Sequence, residues 1–238
     1  MKVLFWGTPD YAVASLETLC QSKHEVVGVV TQPDRKRGRG GKNIPSPVKL
    51  KAKEFGLKVF TPEKIKEEDE LINTLKGISA DIFIVVAFGQ LLPEEILQIP
   101  HLGCWNSHAS LLPRWRGVGP IQWSLITGDK RTGVGIMRME KGLDTGPIIL
   151  EEIVDIEFNE NAMQLSNKLS ILSGKMIIES ISIIEKAWGN KTELNLRNQM
   201  NLNRDVKYAR MINKEDNLTN WNDYCIDIFN KSKGLYPN

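Results

Sequence analysis

The sequence predicts an α/β fold: a doubly wound, mostly parallel sheet that closes with an antiparallel hairpin and one long helix. Three observations predict it. Short apolar runs alternate with segments of helical periodicity from residue 1 to about residue 110, which is the rhythm of βαβ units. The run Asp81 to Phe88, DIFIVVAF, is apolar on both faces, as a central strand of a parallel sheet must be. After residue 130 the rhythm changes to two apolar runs joined by a short loop, followed by a long stretch with apolar residues at three- and four-residue steps.

The elements follow in order. Val3 to Trp6 (VLFW) ends in Gly-Thr-Pro-Asp, a buried strand meeting a turn. Tyr11 to Cys20 carries Val13, Leu16, Leu19 and Cys20 at helical spacing. Glu25 to Thr31 is a second, β-branched strand, and Pro47 to Phe55 reads as a helix with lysines on its outer side. Leu57 to Phe60 is a short strand, Pro62 to Leu75 a helix with a charged face, and Leu102 to Trp105 a strand-like run. Pro120 to Leu125 is helix-like. Gly133 to Met139 and Pro147 to Ile156 form the hairpin across Glu140 to Gly146, and Asn161 to Ala187 is the long helix. The whole is a Rossmann-like arrangement. From Gly189 onward the chain is polar, with eleven Asn in its last 49 residues, a composition that buries little. A weak element at Leu218 to Trp221 and a helix at Asp223 to Lys231 are expected there.

Bulk properties narrow the class. A net charge of +2 over 238 residues names no partner. Cys20, Cys104 and Cys225 form no CxxC pair, which argues against a disulfide framework or zinc site and for a reducing compartment. The start MKVLFWGTPD has too short an apolar run for a signal peptide, and no run of about 18 apolar residues exists to span a membrane. A cytoplasmic protein without a bound metal is expected.

Candidate chemistry gathers at CWNSHASLLPRWRG. Asn106 and His108 fall on one face of an extended segment, near the carboxyl ends of parallel strands, where open α/β sheets bind ligands. An Asn amide donates to a developing oxyanion, and His moves protons near neutral pH. Alone, such a pair reads as a turn cap and an interior histidine. Ser110, Leu111, Leu112 and Pro113 follow at once. Pro113 fixes its own backbone and pushes Leu112 toward an extended conformation, so the four form a stiff wall with main-chain groups to offer a flat ligand. Gly142-Leu143-Asp144-Thr145-Gly146 places an acid between two glycines in the hairpin loop. It reads either as a surface turn or as a carboxylate presented to the site and orienting His108. Asp34 to Lys42 carries five basic residues and three glycines. It reads either as a solvated loop or as an arm reaching RNA phosphates and unpaired bases.

These motifs in combination, N-x-H-x-SLLP-x-x-x-G with G-x-D-x-G, resemble the 10-formyltetrahydrofolate-dependent formyltransferases. The forms SLLPRWRG and GLDTG, the opening FWGTPDYAVASLETL, and TQPDRKRGRGGKNIPSPVK from Thr31 to Lys49 resemble the branch that formylates methionyl initiator tRNA. The resemblance runs from residue 1 to about residue 235. It implies transfer of a formyl group from 10-formyltetrahydrofolate to the methionine amino group in translation initiation. Asn106, His108 and Asp144 would be catalytic, Ser110 to Pro113 would bind the folate, and Arg35, Arg37, Arg39 and Lys42 would bind RNA, Arg39 foremost. Trp115 and Arg116 could also meet the substrate, whereas Trp6, Trp105 and Trp123 would be core. The resemblance further implies a monomer with a catalytic domain at 1–189, a linker at 190–205, and at 206–238 the truncated start of a tRNA-binding β-barrel. Pro147, where the tRNA branch usually carries an acid, resembles the purine-pathway relatives. Two alternatives therefore stand: a formyltransferase acting on a small amine, such as an amino-sugar nucleotide or glycinamide ribonucleotide, and a non-catalytic folate- or RNA-binding relative.

Overall fold

The structure is a computed structural model and describes residues 1–37 and 41–237. In chain order it contains β1 (Lys2–Gly7), α1 (Val13–Cys20), β2 (Glu25–Val30), β3 (Arg35–Arg37), β4 (Lys42–Ile44), α2 (Pro47–Glu54), β5 (Val59–Phe60), α3 (Asp69–Ile78) and β6 (Ile82–Val86). There follow α4 (Glu94–Leu97), β7 (Cys104–His108), β8 (Arg116–Gly117), α5 (Pro120–Ile126), β9 (Arg131–Arg138), β10 (Ile148–Asp155), α6 (Ala162–Asn190), β11 (Tyr208–Ala209) and α7 (Cys225–Leu235).

Seven strands make the main sheet in the order β10-β9-β7-β6-β1-β2-β5. The five strands from β7 to β5 are parallel, and β9 and β10 run antiparallel at one edge. The alternation of side chains along each strand divides the core in two. Val3, Phe5, Ile82 and Ile84 face Leu16, Leu19, Leu169 and Ile177 of α1 and α6. Leu4, Trp6, Phe83 and Val85 face Leu71, Leu75 and Ile96 of α3 and α4. Both faces of β1 and β6 are thus covered, which is why those runs are apolar throughout.

The long helix α6 starts on a capping box, Asn161 Oδ1 accepting from Gln164 N while Gln164 Oε1 accepts from Asn161 N, each at 3.0 Å. Gly174 lets it close on α1, since a Cβ there would crowd Thr18 Oγ1 at 2.6 Å. A buried hydroxyl chain joins the layers: Ser173 Oγ of α6 lies 3.0 Å from Ser15 Oγ and 2.6 Å from Ser107 Oγ of β7.

Several expectations are corrected. Pro62 to Leu75 is not one helix: residues 65–67 form a single 3-10 turn, and α3 begins at Asp69. Gln90 Oε1 accepts from Ile65 N at 2.9 Å and Glu68 Oε1 from Glu63 N at 3.1 Å, so the loop satisfies these amides outside a helix. The first turn of the expected helix at Tyr11 is likewise 3-10, spanning Asp10–Ala12. The basic loop carries a short hairpin, β3 paired with β4 through Arg35↔Ile44 and Arg37↔Lys42. The helix α4 was not anticipated, α6 continues past Ala187 to Asn190, and α7 lies later than the expected Asp223 to Lys231. Leu218 to Trp221 forms no regular element, and both of those side chains are exposed. Among the described residues no helix is long and apolar enough to cross a membrane.

The antiparallel edge depends on a missing side chain. A Cβ at Gly133 would run into the Glu152 carbonyl oxygen of β10 and the Leu111 side chain. Gly133→Ala is therefore expected to lower stability by about 1–3 kcal/mol, read as a reduced urea midpoint with an unchanged denaturant slope.

Candidate functional site

Asn106 and His108 sit in the carboxyl half of β7 and point to the same face of the sheet, the face opposite Ser107 and α6. Register with β9 sets Asn106 opposite Met137 and His108 opposite Gly135. The loop between β9 and β10 folds back over this face and delivers Asp144.

Asp144 is the hub. Its Oδ1 accepts from Asn106 Nδ2 at 3.3 Å, its Oδ2 accepts from Gly117 N at 2.8 Å, and the same Oδ2 lies 3.7 Å from His108 Nδ1. The side chains of His108 and Asp144 are only 6% and 11% exposed, so their pairing is little screened by water. On its other side His108 Nε2 is 2.8 Å from the Trp115 carbonyl oxygen. A carbonyl only accepts, so Nε2 carries the ring proton, and in the neutral ring Nδ1 remains a base directed at Asp144. Asp144 itself adopts φ 51°, a left-handed conformation that Asp tolerates better than most residues. The flanking glycines are sterically required. A Cβ at Gly146 would run into the Arg138 carbonyl oxygen, and one at Gly142 into Thr145 Oγ1.

The three residues expected to be catalytic are therefore brought together. The side chains of the expected folate wall are largely turned inward. Ser110 is fully buried, its Oγ donating to the Arg114 carbonyl at 2.6 Å. Leu112 is fully buried against Met137 and Ile148. A small cleft of about 50 Å³ beside Asp144 is lined by Leu91, Leu92, Met137, Met139, Glu140, Lys141, Gly142 and Leu143. None of Ser110, Leu111, Leu112 and Pro113 lines it. Leu91 and Leu92 follow the turn after β6, where Ala87 (φ 47°) and Gly89 (φ 92°) reverse the chain. The Phe88 carbonyl is held there by Thr8 Oγ1 at 2.8 Å and Gln32 Nε2 at 3.3 Å. The sequence signal for this wall was FGQLLP directly after the most apolar strand.

Trp115 and Arg116 do not present themselves to a substrate. Trp115 is 6% exposed, its Nε1 donates to Asp129 Oδ2 at 2.7 Å, and its ring lies under the Arg114 guanidinium and stacks on Trp123. Arg114 makes a two-bond fork to Asp129, 2.9 and 2.6 Å. Arg116, also 6% exposed, donates twice to Gln199 Oε1. Trp123, expected in the core, is only partly buried and lies under the Arg210 guanidinium.

Cys104, at the start of β7, is buried, and burial pushes its thiol well above the ordinary range despite the nearby Arg138, which makes it a poor nucleophile. Among the described residues no three His, Cys, Asp or Glu side chains converge as a metal site would require. The basic hairpin leaves the carboxyl end of β2, the same edge of the parallel sheet as the ends of β1, β6 and β7. Arg35 is exposed, Arg37 and Lys42 face each other as backbone partners, and Arg39 lies outside the described residues.

Residues 1–181 match the model of the formyl transferase family. The methionyl-tRNA formyltransferase of Prochlorococcus marinus (strain AS9601) is 54% identical over 237 residues, covering 100% of this chain and 72% of that protein. That of Synechococcus sp. (strain WH7803) is 53% identical over 242 residues, covering 100% and 70%. The solved N-formyltransferase from Helicobacter canadensis has a TM-score of 0.69 at 23% identity, over 98% of this chain and 80% of that one. The phosphoribosylglycinamide formyltransferase from Anaplasma phagocytophilum has a TM-score of 0.67 at 18% identity, over 89% and 99%. At these identities the two structures speak to the fold.

One residue of the site is tied to its backbone conformation. Gly117 has φ 112°, and a Cβ on it would approach the Ala209 carbonyl oxygen at 2.7 Å. Gly117→Ala is expected to cost about 1–3 kcal/mol, measured as a fall in thermal midpoint. It should also loosen Asp144, whose carboxylate the Gly117 amide holds.

Proposed function

The chain belongs to the formyl transferase family and, within it, to the methionyl-tRNA formyltransferases, and on that premise we propose how its residues transfer the formyl group. The donor is 10-formyltetrahydrofolate and the acceptor is the α-amino group of methionine on initiator tRNA. The folate supplies a formyl group on a nitrogen that becomes a leaving amine.

The residues divide the work. As the amino nitrogen bonds to the formyl carbon, the carbonyl electron pair moves onto oxygen. Asn106 Nδ2 has two hydrogens; one is taken by Asp144 Oδ1, and the other donates to that oxygen. His108 Nδ1 takes the proton that the attacking amine loses, opposite Asp144 Oδ2 at 3.7 Å, and returns it to the departing folate nitrogen. Asp144 fixes the Asn106 amide and the His108 ring together. Apolar Leu91, Leu92, Met139 and Leu143, close to the hub, offer a flat ring system of the donor its faces. Ser110, Leu111, Leu112 and Pro113 offer the folate their main-chain groups from the neighbouring segment. The observation that carries this reading is the convergence of Asn106, His108 and the Gly117 amide on one carboxylate.

Arg35, Arg37, Arg39 and Lys42 contact the RNA backbone from the hairpin at the sheet edge. Residues 1–189 form the catalytic domain, 190–205 the linker, and residues from 206 on belong to a tRNA-side unit. The enzyme works as a cytoplasmic monomer beside charged tRNA, and its three free cysteines suit that reducing compartment.

Formylation of methionyl initiator tRNA by purified variants tests the roles. Asn106→Ala should lower kcat about 10²- to 10³-fold, and Asp144→Asn by about 10²-fold or more. Wild-type turnover by either would remove that residue from the chemistry. Replacing Arg35 and Arg37 by Ala should leave the KM for folate unchanged and raise the KM for tRNA. The dependence of log KM on log salt should flatten by about one for each phosphate that is no longer neutralised. An unchanged salt slope would argue that the hairpin does not touch RNA.

A further inference from the structure

The family match ends at residue 181, yet a side chain well beyond it is built into the hub. Gln199 lies on the 3-10 turn Gln199–Asn201, after the long helix, and is 1% exposed. Its Nε2 donates to two carbonyls of the catalytic loop, that of Asp144 at 2.9 Å and that of Gly146 at 2.8 Å. Its Oε1 accepts from Arg116 Nε at 3.0 Å and Nη2 at 2.7 Å. Arg116 immediately precedes Gly117, whose amide holds the Asp144 carboxylate. The bonds close a ring. One half grips the main chain of Asp144, the other half grips the residue beside the amide that grips its side chain. The same segment is anchored twice more, by Arg204 to the Leu112 carbonyl and Glu151, and by β11 to β8.

We propose that Gln199 is a positioning residue for formyl transfer, setting the placement of Asp144 relative to Asn106 and His108 from outside the matched domain. The inference rests on the role given to Asp144 above. Two arguments carry it. A left-handed Asp loop between two glycines has little stiffness of its own, because glycine gives the chain extra freedom. Only Gln or Asn presents a donor pair and an acceptor on one neutral group, and Asn is one methylene shorter. Nothing else in the polar Asn-rich stretch from 190 to 204 is as deeply buried.

The test compares four variants in steady-state formylation, with thermal midpoint and the pH profile of kcat recorded for each. Gln199→Glu keeps the volume and the acceptor for Arg116 but sets oxygen against the Asp144 and Gly146 carbonyls. Gln199→Met keeps approximate shape and removes every bond. Asn198→Ala loosens the same turn, since Asn198 Oδ1 accepts from Met200 N at 2.9 Å, without touching the loop. Asp144→Asn reports on the hub itself. We expect kcat to fall about 10- to 100-fold in both Gln199 variants, the size of effect seen when a support behind a reacting group is removed, with both KM values little changed and the pH profile of kcat displaced. Asn198→Ala should lower the midpoint and leave kcat and its pH profile as in the wild type. Should Gln199→Met not fold, Gln199→Glu carries the comparison. The proposal is overturned if folded Gln199 variants keep the wild-type kcat and pH profile, or if they behave as Asn198→Ala does. If those outcomes accompany a slow Asp144→Asn, only the role of Gln199 falls. A wild-type rate for Asp144→Asn would sink the reading of the hub, and Gln199 with it.

Discussion

A carboxylate taken almost out of water must be given hydrogen-bond donors, and Asp144 is the group around which this molecule settles that requirement. Its side chain is 11% exposed. An unpartnered charge at such a place would cost several kcal/mol. It is answered by an amide N–H from one segment and a side-chain amide from a strand, with the His108 ring lying 3.7 Å away. The two donors and the carboxylate come from three parts of the chain, so the group is assembled only when the sheet, the segment at Arg116–Gly117 and the hairpin loop are all in place.

The sheet makes that assembly stiff. Because β7 is paired with β6 on one side and β9 on the other, Asn106 and His108 are held on a strand fixed along both edges. The odd-numbered Trp105 and Ser107 face α6, and the Ser107–Ser173–Ser15 hydroxyl chain fastens β7 to α6 and α1 from behind. Asn106 and His108 are left to the opposite face, where Asp144 meets them. Reactive groups on a rigid strand and a carboxylate on a short loop are a sound division of labour, since small displacements of catalytic groups cost rate steeply.

Most of the sheet was legible because a parallel core imposes a visible pattern. DIFIVVAF could only be a strand covered on both faces, and β6 is buried at every position. Pro62 to Leu75 misled because Leu71, Ile72 and Leu75 do lie on one helix face, while the amides before Asp69 are satisfied by Gln90 and Glu68 from the loop. Asn106, His108 and Asp144 were legible through residue chemistry and resemblance together. The cleft wall at Leu91 and Leu92 was not, because an apolar pair after a strand reads equally as core. Arg116 and Gln199 were hidden for a stronger reason: each is a polar residue whose burial is tolerable only because the other is there, and they lie 83 residues apart.

What the sequence determined by itself was local and periodic: which segments are the main strands of the sheet and the long helix, where two glycines leave room for an unusual backbone at Asp144, and which residue types could move a proton or steady an oxyanion. What only the tertiary structure decided was which groups share one carboxylate, which face of the Ser110–Pro113 segment is turned inward, and that a glutamine from the stretch after the long helix completes the hub. The physical reason is the range of the interactions. Periodicity reports burial over a turn or a strand pleat, whereas a hydrogen bond between Gln199 and the Asp144 carbonyl, 55 residues apart, leaves no periodic trace in the chain that makes it.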